Sequence, residues 1–225
     1  MCLKADSMLK KDTPCLLFCE GRDEKEFLEQ YINRFLINED AIYKKILVIN
    51  FGGNNELTNR LKATKLLEGF NYVKGIAIIR DAENNCIGAE QSIRNSIDIS
   101  GLQGNLFGGS SIYLFPHKDE VGNWNNGTLE DLCLCILAED IPNEINSENL
   151  LERCKNFIDD IDMQRDRNFP RKHKNLLHTY FSVTNKFVDL KIGEAARAGA
   201  FNWQHQKLND LKEFLLTLAN MGREV

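Results

Sequence analysis

The segment LLFCEGRDE at residues 16–24 is an apolar run that stops abruptly at acidic residues, and GIAIIRDAE at residues 75–83 repeats the pattern. Apolar runs without polar alternation are typical of strands buried on both faces of a parallel sheet. Ligand-binding and catalytic groups in such sheets collect just beyond the carboxyl ends of the strands. The two segments therefore predict an α/β protein with Glu20, Asp81 and Glu83 at one edge of its sheet.

The rest of the chain extends this pattern into alternating strands and helices. Further strands are predicted over 45–51 and 111–116, with helices after residue 22, over 57–67 and over 87–97. This order predicts a parallel sheet of about four strands with right-handed crossovers and flanking helices. From Thr128 onward the pattern becomes mainly helical, with predicted helices at about 129–139, 147–162, 174–189 and 203–219. We expect an α/β core over residues 1–135 and a helical portion over 136–225, packed together as one unit.

Composition limits the class of protein. The chain has 225 residues, a net charge of −5, an apolar fraction of 43% and a charged fraction of 27%, which are ordinary values for a soluble globular protein. No apolar run approaches the ~20 residues of a membrane helix, and the sequence MCLKADSMLKKD lacks a signal-peptide core, so we expect no membrane partner and a cytoplasmic location. The seven cysteines include no CxxC pair, which indicates buried reduced thiols rather than structural zinc.

The acidic residues predict a metal site. If the strands that precede Glu20, Asp81 and Glu83 are close in the sheet, their carboxylates converge and repel one another, and a divalent cation relieves that repulsion. Asp81 and Glu83 leave the same face of an extended segment, a spacing that suits a shared ion. Mg²⁺ fits best because it keeps waters that phosphate oxygens can replace. The alternative is an acidic turn that stabilises the start of the next helix.

These motifs together resemble the Toprim fold of topoisomerases, primases and overcoming-lysogenization-defect (OLD) nucleases. A strand ends in Glu20-Gly21 before an acidic helix start, and a later strand ends in Asp81-Ala82-Glu83, where Toprim proteins commonly carry Asp-x-Asp. The resemblance covers roughly residues 14–135. Within that fold the chain is similar to small stand-alone proteins classed as DUF3226. The segments that carry this narrower resemblance are Phe115-Pro116, Leu129-Glu130-Asp131-Leu132, Gly193-Glu194-Ala195-Ala196 and Ala200-Phe201-Asn202-Trp203.

The resemblance implies roles for the acids. Glu20 would bind metal or act as general acid and base, and Glu24 would be a ligand of a second metal, although a glutamate in a first helical turn also gains stability without metal. Glu130 matches a late acidic residue of the OLD pattern. Asp131 pairs with Thr128 as in a capping box, which predicts a structural role.

Several other residues have both a functional and a structural interpretation. Lys118 and His117 follow the fourth strand, and Lys118 is a candidate to neutralise a transition-state phosphate. The turn at 52–55 either presents backbone amides to a phosphate or is a plain tight turn. The basic residues Arg165, Arg167, Arg171, Lys172, His173 and Lys174 either track a nucleic-acid backbone or form a solvated connection. Phe201 and Trp203 are predicted to be packing anchors.

Three functional hypotheses follow. The first is a Mg²⁺- or Mn²⁺-dependent phosphoryl-transfer enzyme, a nuclease with Glu20, Asp81, Glu83 and Lys118 as catalytic residues. Its metal ligands would be Glu20, Glu24, Asp81, Glu83 and Glu130. The second is a non-catalytic Toprim-like module that binds nucleic acid, a nucleotide, a partner protein or a second copy of the chain. The third is a Rossmann-like domain in which the acids are purely structural.

Overall fold

A central parallel sheet organises the chain. The computed structural model describes residues 9–102, 104–108, 111–139, 149–165 and 171–223, without the side chains at 54, 105, 139, 164 and 165. The sheet strands of these ranges are β1 (Cys15–Cys19), β2 (Ile46–Asn50), β3 (Gly75–Asp81) and β4 (Ile112–Phe115). They are all parallel and lie in the order β2-β1-β3-β4. The predicted α/β class is therefore confirmed, with β1 and β3 as the two inner strands.

The inner strands are apolar because helices cover both faces of the sheet. Every residue of β1 and β3 is buried. Cys15, Leu17 and Cys19 contribute to one buried cluster, and Leu16 and Phe18 contribute to the cluster on the opposite face. Full burial of a Leu or Phe side chain contributes about 1.5–3 kcal/mol, so a continuous apolar run is more stable here than an alternating one.

Helices make up most of the remaining described chain. Their bounds are α1 (Arg22–Tyr31), α2 (Ile37–Glu39), α3 (Leu57–Thr64), α4 (Cys86–Ser100), α5 (Leu129–Glu139), α6 (Leu150–Arg165), α7 (Lys172–Val183), α8 (Ile192–Ala198) and α9 (Asn209–Met221). A π-helical segment, Ile32–Leu36, joins α1 to α2. In the described ranges, no helix has the length and apolar character needed to cross a membrane.

The two faces of the sheet carry different helices. Apolar side chains of α3 and α4 pack on the face that contains Leu16 and Phe18. The other face is covered by α1, α5, α7, α8 and α9. Leu218 of α9 belongs to the same buried cluster as Cys15 of β1. The helical region beyond residue 135 thus shares its core with the sheet, while the proposed division at 135 stays a prediction.

The C-terminal helices differ from the sequence prediction in two places. The helix predicted over 174–189 ends at Val183, because Thr184 has extended backbone angles and its hydroxyl bonds the Phe181 carbonyl. The seven-residue helix α8 was not predicted. Its signals are local: the Lys191 amide donates to Glu194 Oε2, and Gly199 ends the helix at a φ of 84°. A helix this short has too few residues for a clear apolar period.

The cysteines of the described ranges are free thiols, as the sequence predicts, and four of them are buried. Burial raises the pKa of the Cys15 thiol to about 11 and that of Cys19 further still. These thiols therefore stay protonated and unreactive at neutral pH. Cys2 lies outside the described residues.

Candidate functional site at the carboxyl edge of the sheet

The loop after β2 fixes the backbone of Glu20. The amides of Gly52 and Gly53 both donate to the Glu20 carbonyl, at 3.0 and 3.2 Å. The two glycines have φ values of 89° and 111°, a left-handed backbone that side chains disfavour. Because these two amides already donate to Glu20, they are not free to bind a phosphate. The structure therefore favours the interpretation of residues 52–55 as a plain tight turn.

The Glu20 side chain reaches a buried position without a full partner. Its Oε2 atom is buried and makes no hydrogen bond within the described residues. The atom lies 4.0 Å from Nε of Arg80 on the neighbouring strand β3. Burial raises the pKa of Glu20, and the charge of Arg80 opposes that rise while Glu83 adds to it. Glu20 is therefore a carboxylate that holds its proton more tightly than usual.

Asp81 connects the sheet to helix α5. It is the last residue of β3, is 4% exposed, and its Oδ1 accepts a hydrogen bond of 2.8 Å from the amide of Leu129. That amide belongs to the first turn of α5 and has no partner inside the helix. Burial, followed by repulsion from Glu24 and Glu130, raises the pKa of Asp81 well above its ordinary value. Asp81 thus holds the start of α5 in place while neighbouring carboxylates repel its charged form.

Glu24 folds back from the first turn of α1 toward Glu20. A Cβ atom on Gly21 would lie only 2.6 Å from Glu24 Oε2, so glycine at 21 leaves the space that this carboxylate occupies. Burial raises the pKa of Glu24; a hydrogen bond from its own amide opposes that rise, and Glu20 and Glu130 add to it. The Glu-Gly pair of the sequence motif therefore has a packing reason.

Glu130 contributes another buried carboxylate. It is 8% exposed and lies in the first turn of α5, where its Oε1 is 3.0 Å from Nζ of Lys174 on α7. The neighbouring Asp131 accepts hydrogen bonds from the amide and hydroxyl of Thr128, at 2.8 and 3.0 Å. The predicted capping role of Asp131 is confirmed, and Glu130 is the residue of this pair that faces the other acids.

Glu83 lies at the exposed rim of the cluster. Its φ is 52°, an uncommon value for a residue with a side chain, and its backbone exchanges two hydrogen bonds with Gly127, at 2.8 and 2.7 Å. Its charge raises the pKa of Glu20. The structure thus links five carboxylates by pairwise repulsions, in which Glu83 acts on Glu20. They are Glu20, Glu24, Asp81, Glu83 and Glu130.

The Lys118 side chain packs on an aromatic ring, and its catalytic role stays a prediction. Its ammonium group is 4.6 Å from the centre of the Trp124 ring, and it lines a cavity of about 610 Å³ together with Asp210 and Glu213. Within the described ranges, no ion pair or hydrogen bond joins Lys118 to the five carboxylates. His117 contacts Lys207, with 3.4 Å between Nε2 and Nζ, and burial and then Lys207 lower its pKa.

Two lysines of the basic stretch are paired with acids. Lys172 forms ion pairs with Asp159 and Asp162, and Lys174 pairs with Glu130. Arg167 lies outside the described residues. Pairing of the lysines favours a structural interpretation of this stretch over that of a free nucleic-acid track. Phe201 and Trp203 both pack edge-on against Phe27, at 5.5 and 5.2 Å between ring centres, which confirms that they are packing anchors.

The side-chain positions do not form a ready-made metal cage. Among the residues that the structure describes, no three His, Cys, Asp or Glu side chains are placed to hold one metal ion. The available donors are nevertheless all carboxylate oxygens, the type that Mg²⁺ and Mn²⁺ prefer. Glu20 Oε2 is also a buried oxygen with no hydrogen-bond donor among the described residues. Donor chemistry and charge therefore fit a divalent cation, although the side chains do not converge on a single point.

Sequence reasoning did not place Arg80 or Lys174 beside the acids. Arg80 lies at the end of the apolar run that precedes Asp81. A charged residue in a strand that is buried on both faces is unusual, and this was the sequence feature that could have identified it. Lys174 approaches Glu130 from α7, and no local pattern connects residues so far apart in the chain.

The fold and this edge define the class of the protein: an α/β protein with a carboxylate-lined edge on a four-stranded parallel sheet. A family model described as "Protein of unknown function (DUF3226)" matches residues 14–220, and the chain belongs to that family. No curated protein and no solved structure matches the chain. The relation to the Toprim fold stays a prediction.

Proposed function

We propose that this chain is a Mg²⁺- or Mn²⁺-dependent phosphoryl-transfer protein that cleaves nucleic-acid phosphodiesters. One observation carries the proposal: Glu20 and Asp81 stand at the carboxyl ends of two neighbouring strands, the edge where ligands of parallel sheets bind, and Glu24, Glu83 and Glu130 each repel one or both of them. The cations described among them are Arg80 and Lys174, so ionisation of all five acids leaves three formal negative charges. A divalent cation is the ligand that such an edge would stabilise most.

The cation would be held by Glu20, Glu24 and Asp81, with Glu83 at the rim and Glu130 beside them. Asp81 has one oxygen fixed by the Leu129 amide and a second oxygen available to a ligand. When bound, the cation would supply an activated water and charge stabilisation for the leaving oxygen. Cation binding would require the carboxylates to rotate toward a common point, because in this structure no three of the described acids are placed around one.

Glu20 is the residue that we assign to proton transfer or to the cation. Burial of Oε2 raises the pKa of Glu20, so this carboxyl holds a proton more tightly than an exposed glutamate does, as a general acid must. The positive charges of Arg80 and Lys174 partly offset the repulsion between the carboxylates.

Metal-dependent cleavage tests the proposal. Single- and double-stranded DNA and RNA would be incubated with the protein in Mg²⁺, Mn²⁺ or EDTA, and cleavage would be followed on gels. We expect cleavage with metal, none in EDTA, and at least a ~100-fold loss in Glu20→Gln. Glu68→Gln is the matched control, because Glu68 is exposed and lies in the connection before β3, whereas Glu20 and Asp81 lie at the carboxyl ends of their strands. Unchanged cleavage by Glu20→Gln would contradict the assignment.

A second candidate is a non-catalytic module that binds nucleic acid, a nucleotide or a partner protein. Two observations favour it. Within the described ranges no three acidic, cysteine or histidine side chains are placed as ligands of one ion, and Glu130 is already neutralised by Lys174. This candidate expects no metal-dependent turnover, together with stable complex formation by both the unaltered protein and Asp81→Ala.

A further inference from the structure

Arg80 is a buried cation whose charge is incompletely paired. The residue is 7% exposed, and its Nε atom is buried and makes no hydrogen bond within the described residues. Glu20 Oε2 lies 4.0 Å away, which is longer than a hydrogen bond. A guanidinium that is fully paired with a carboxylate donates two bonds of about 2.7–2.9 Å. The contact with Glu20 therefore leaves both groups able to accept another ligand.

The sheet itself fixes this arrangement. Phe18 of β1 is in register with Ile78 of β3, so Glu20 and Arg80, two residues further along, lie side by side. Side chains alternate along a strand, and Arg80 thus shares the face of Ile76 and Ile78. The position of the guanidinium follows from the strand register and does not depend on a surface loop.

The protonation chemistry of the two residues decides which ligand suits them. Arginine stays charged in proteins, so Arg80 cannot relieve its burial by losing a proton. It needs negatively charged oxygens, while Glu20 needs a proton or a cation. A phosphate group bound together with a divalent cation supplies both charges, with its oxygens toward Arg80 and the cation toward Glu20. The planar guanidinium also matches two phosphate oxygens better than an ammonium group does.

The surroundings of Glu20 leave room for such a ligand. The Glu20 side chain is 21% exposed, so solvent reaches part of it, whereas that of Arg80 is 9% exposed and its Nε atom would meet a ligand only after a side-chain movement. Gly52 and Gly53 hold the Glu20 carbonyl, and no atom lies within 4 Å of the positions where their Cβ atoms would be. The turn beside Glu20 therefore borders open space.

We propose that Arg80 is the phosphate-binding residue of this site and that its ligand is a phosphate ester, the phosphodiester of a nucleic-acid backbone being the substrate form. The cation that accompanies the phosphate rests on the proposed function. The recognition of phosphate oxygens rests on Arg80 alone. Cation binding and phosphate binding can therefore be measured separately.

Calorimetric titrations with two probes test this role. Dimethyl phosphate represents a phosphodiester, and inorganic phosphate represents a terminal phosphate. Each is titrated into the unaltered protein, Arg80→Gln, Arg80→Lys and the control Arg94→Gln, first with saturating Mg²⁺ and then in EDTA. Arg94 is a suitable control because it is an exposed arginine on α4, paired with Glu90. A separate Mg²⁺ titration reports cation binding, and thermal unfolding checks that each variant folds.

With Mg²⁺ we expect Arg80→Gln to bind dimethyl phosphate at least ~10-fold more weakly than the unaltered protein, and Arg94→Gln to bind it equally well. Arg80→Lys keeps the positive charge but lacks the planar guanidinium, and we expect it to bind dimethyl phosphate several-fold more weakly. If Arg80→Gln does not fold, the affinity of Arg80→Lys tests whether Arg80 binds the phosphate. Stronger binding of inorganic phosphate than of the diester would overturn the diester assignment. Equal affinities in the unaltered protein and the Arg80 variants, or no anion binding in either buffer, would overturn the role of Arg80.

Absence of Mg²⁺ binding by the unaltered protein would instead overturn the proposed function. The EDTA titrations would then still decide the role of Arg80 by the same comparison of variants. An Arg80-dependent affinity in EDTA would support phosphate recognition without a cation.

Discussion

Asp81 Oδ1 accepts a 2.8 Å hydrogen bond from the amide of Leu129, so the last residue of β3 holds the first residue of α5. This bond explains how the edge of the sheet is assembled. It fixes the start of α5, and with it Glu130, beside the carboxylates that follow β1 and β3. The acid that anchors the helix is also the acid that its neighbours repel.

Asp81→Asn should stabilise the metal-free protein at neutral pH. The folded state raises the pKa of Asp81 above the ordinary value of 3.8, so it binds the proton more tightly than the unfolded chain does. The stability of the unaltered protein therefore falls as the pH rises through the interval between those two pKa values. Asparagine carries no charge and keeps the oxygen that accepts from Leu129.

Thermal unfolding in EDTA at several pH values checks this expectation. The melting temperature of Asp81→Asn should exceed that of the unaltered protein at pH 7, by about 2–4 °C for each kcal/mol gained, and the gain should vanish below pH ~4. Asp160→Asn, on the exposed face of α6, is the control and should show no such pH-dependent gain. A gain that grew toward acidic pH would contradict the sign of the effect.

Removal of Lys174 should destabilise the protein measurably. Glu130 is 8% exposed, and Lys174→Gln would leave it as an unpaired buried carboxylate. Breaking a fully buried pair costs about 3–5 kcal/mol, and because a third of the Lys174 side chain is exposed we expect about 1–2 kcal/mol. Denaturant unfolding of Lys174→Gln, Glu130→Gln and the double variant would give the coupling energy.

The control for that cycle is Lys155→Gln. Lys155 pairs with Glu152, and both side chains are more than half exposed, so this substitution should change stability by less than ~0.5 kcal/mol. Equal losses for the two lysine variants would mean that burial of Glu130 does not strengthen its pairing.

Gly21→Ala should alter the site more than the fold. The backbone at Gly21 has a φ of −128° and a ψ of −172°, which alanine adopts without strain, but the new Cβ would meet Glu24 Oε2 at 2.6 Å. The Glu24 carboxylate must move away. We expect Mn²⁺ affinity to fall several-fold while the free energy of unfolding changes by less than ~1 kcal/mol.

Gly104→Ala provides the matched comparison, because no atom lies within 4 Å of its Cβ position. Calorimetry should give it the Mn²⁺ affinity of the unaltered protein. If Gly21→Ala also bound Mn²⁺ normally, Glu24 would not be a ligand.

The sequence predicted the strands and the edge of the site because each depends on a short local pattern. The apolar runs before Glu20 and Asp81 are long enough to require burial on both faces, and parallel strands bring their carboxyl ends to one edge. Lys118 shows the limit of this reasoning. Lys118 also follows a strand, but its ammonium group lies over the ring of Trp124. Trp124 in turn packs on Tyr113, with 5.0 Å between ring centres.

The charges inside the site depended on contacts that no local pattern encodes. Lys174 comes to Glu130 through the packing of α7 on α5, and Arg80 faces Glu20 through the register of two strands far apart in the chain. Sequence reasoning therefore identified the acids without their counterions.

Calorimetric titration with Mn²⁺ tests the central claim, that the carboxylate edge binds a divalent cation, most directly. The unaltered protein and Asp160→Asn should bind Mn²⁺ with the same affinity, and at a free concentration of 100 times Kd the ion should add about 2.7 kcal/mol to the free energy of unfolding. Asp81→Asn should bind at least ~10-fold more weakly. Absence of binding by the unaltered protein, or the same affinity in Asp81→Asn, would contradict the account.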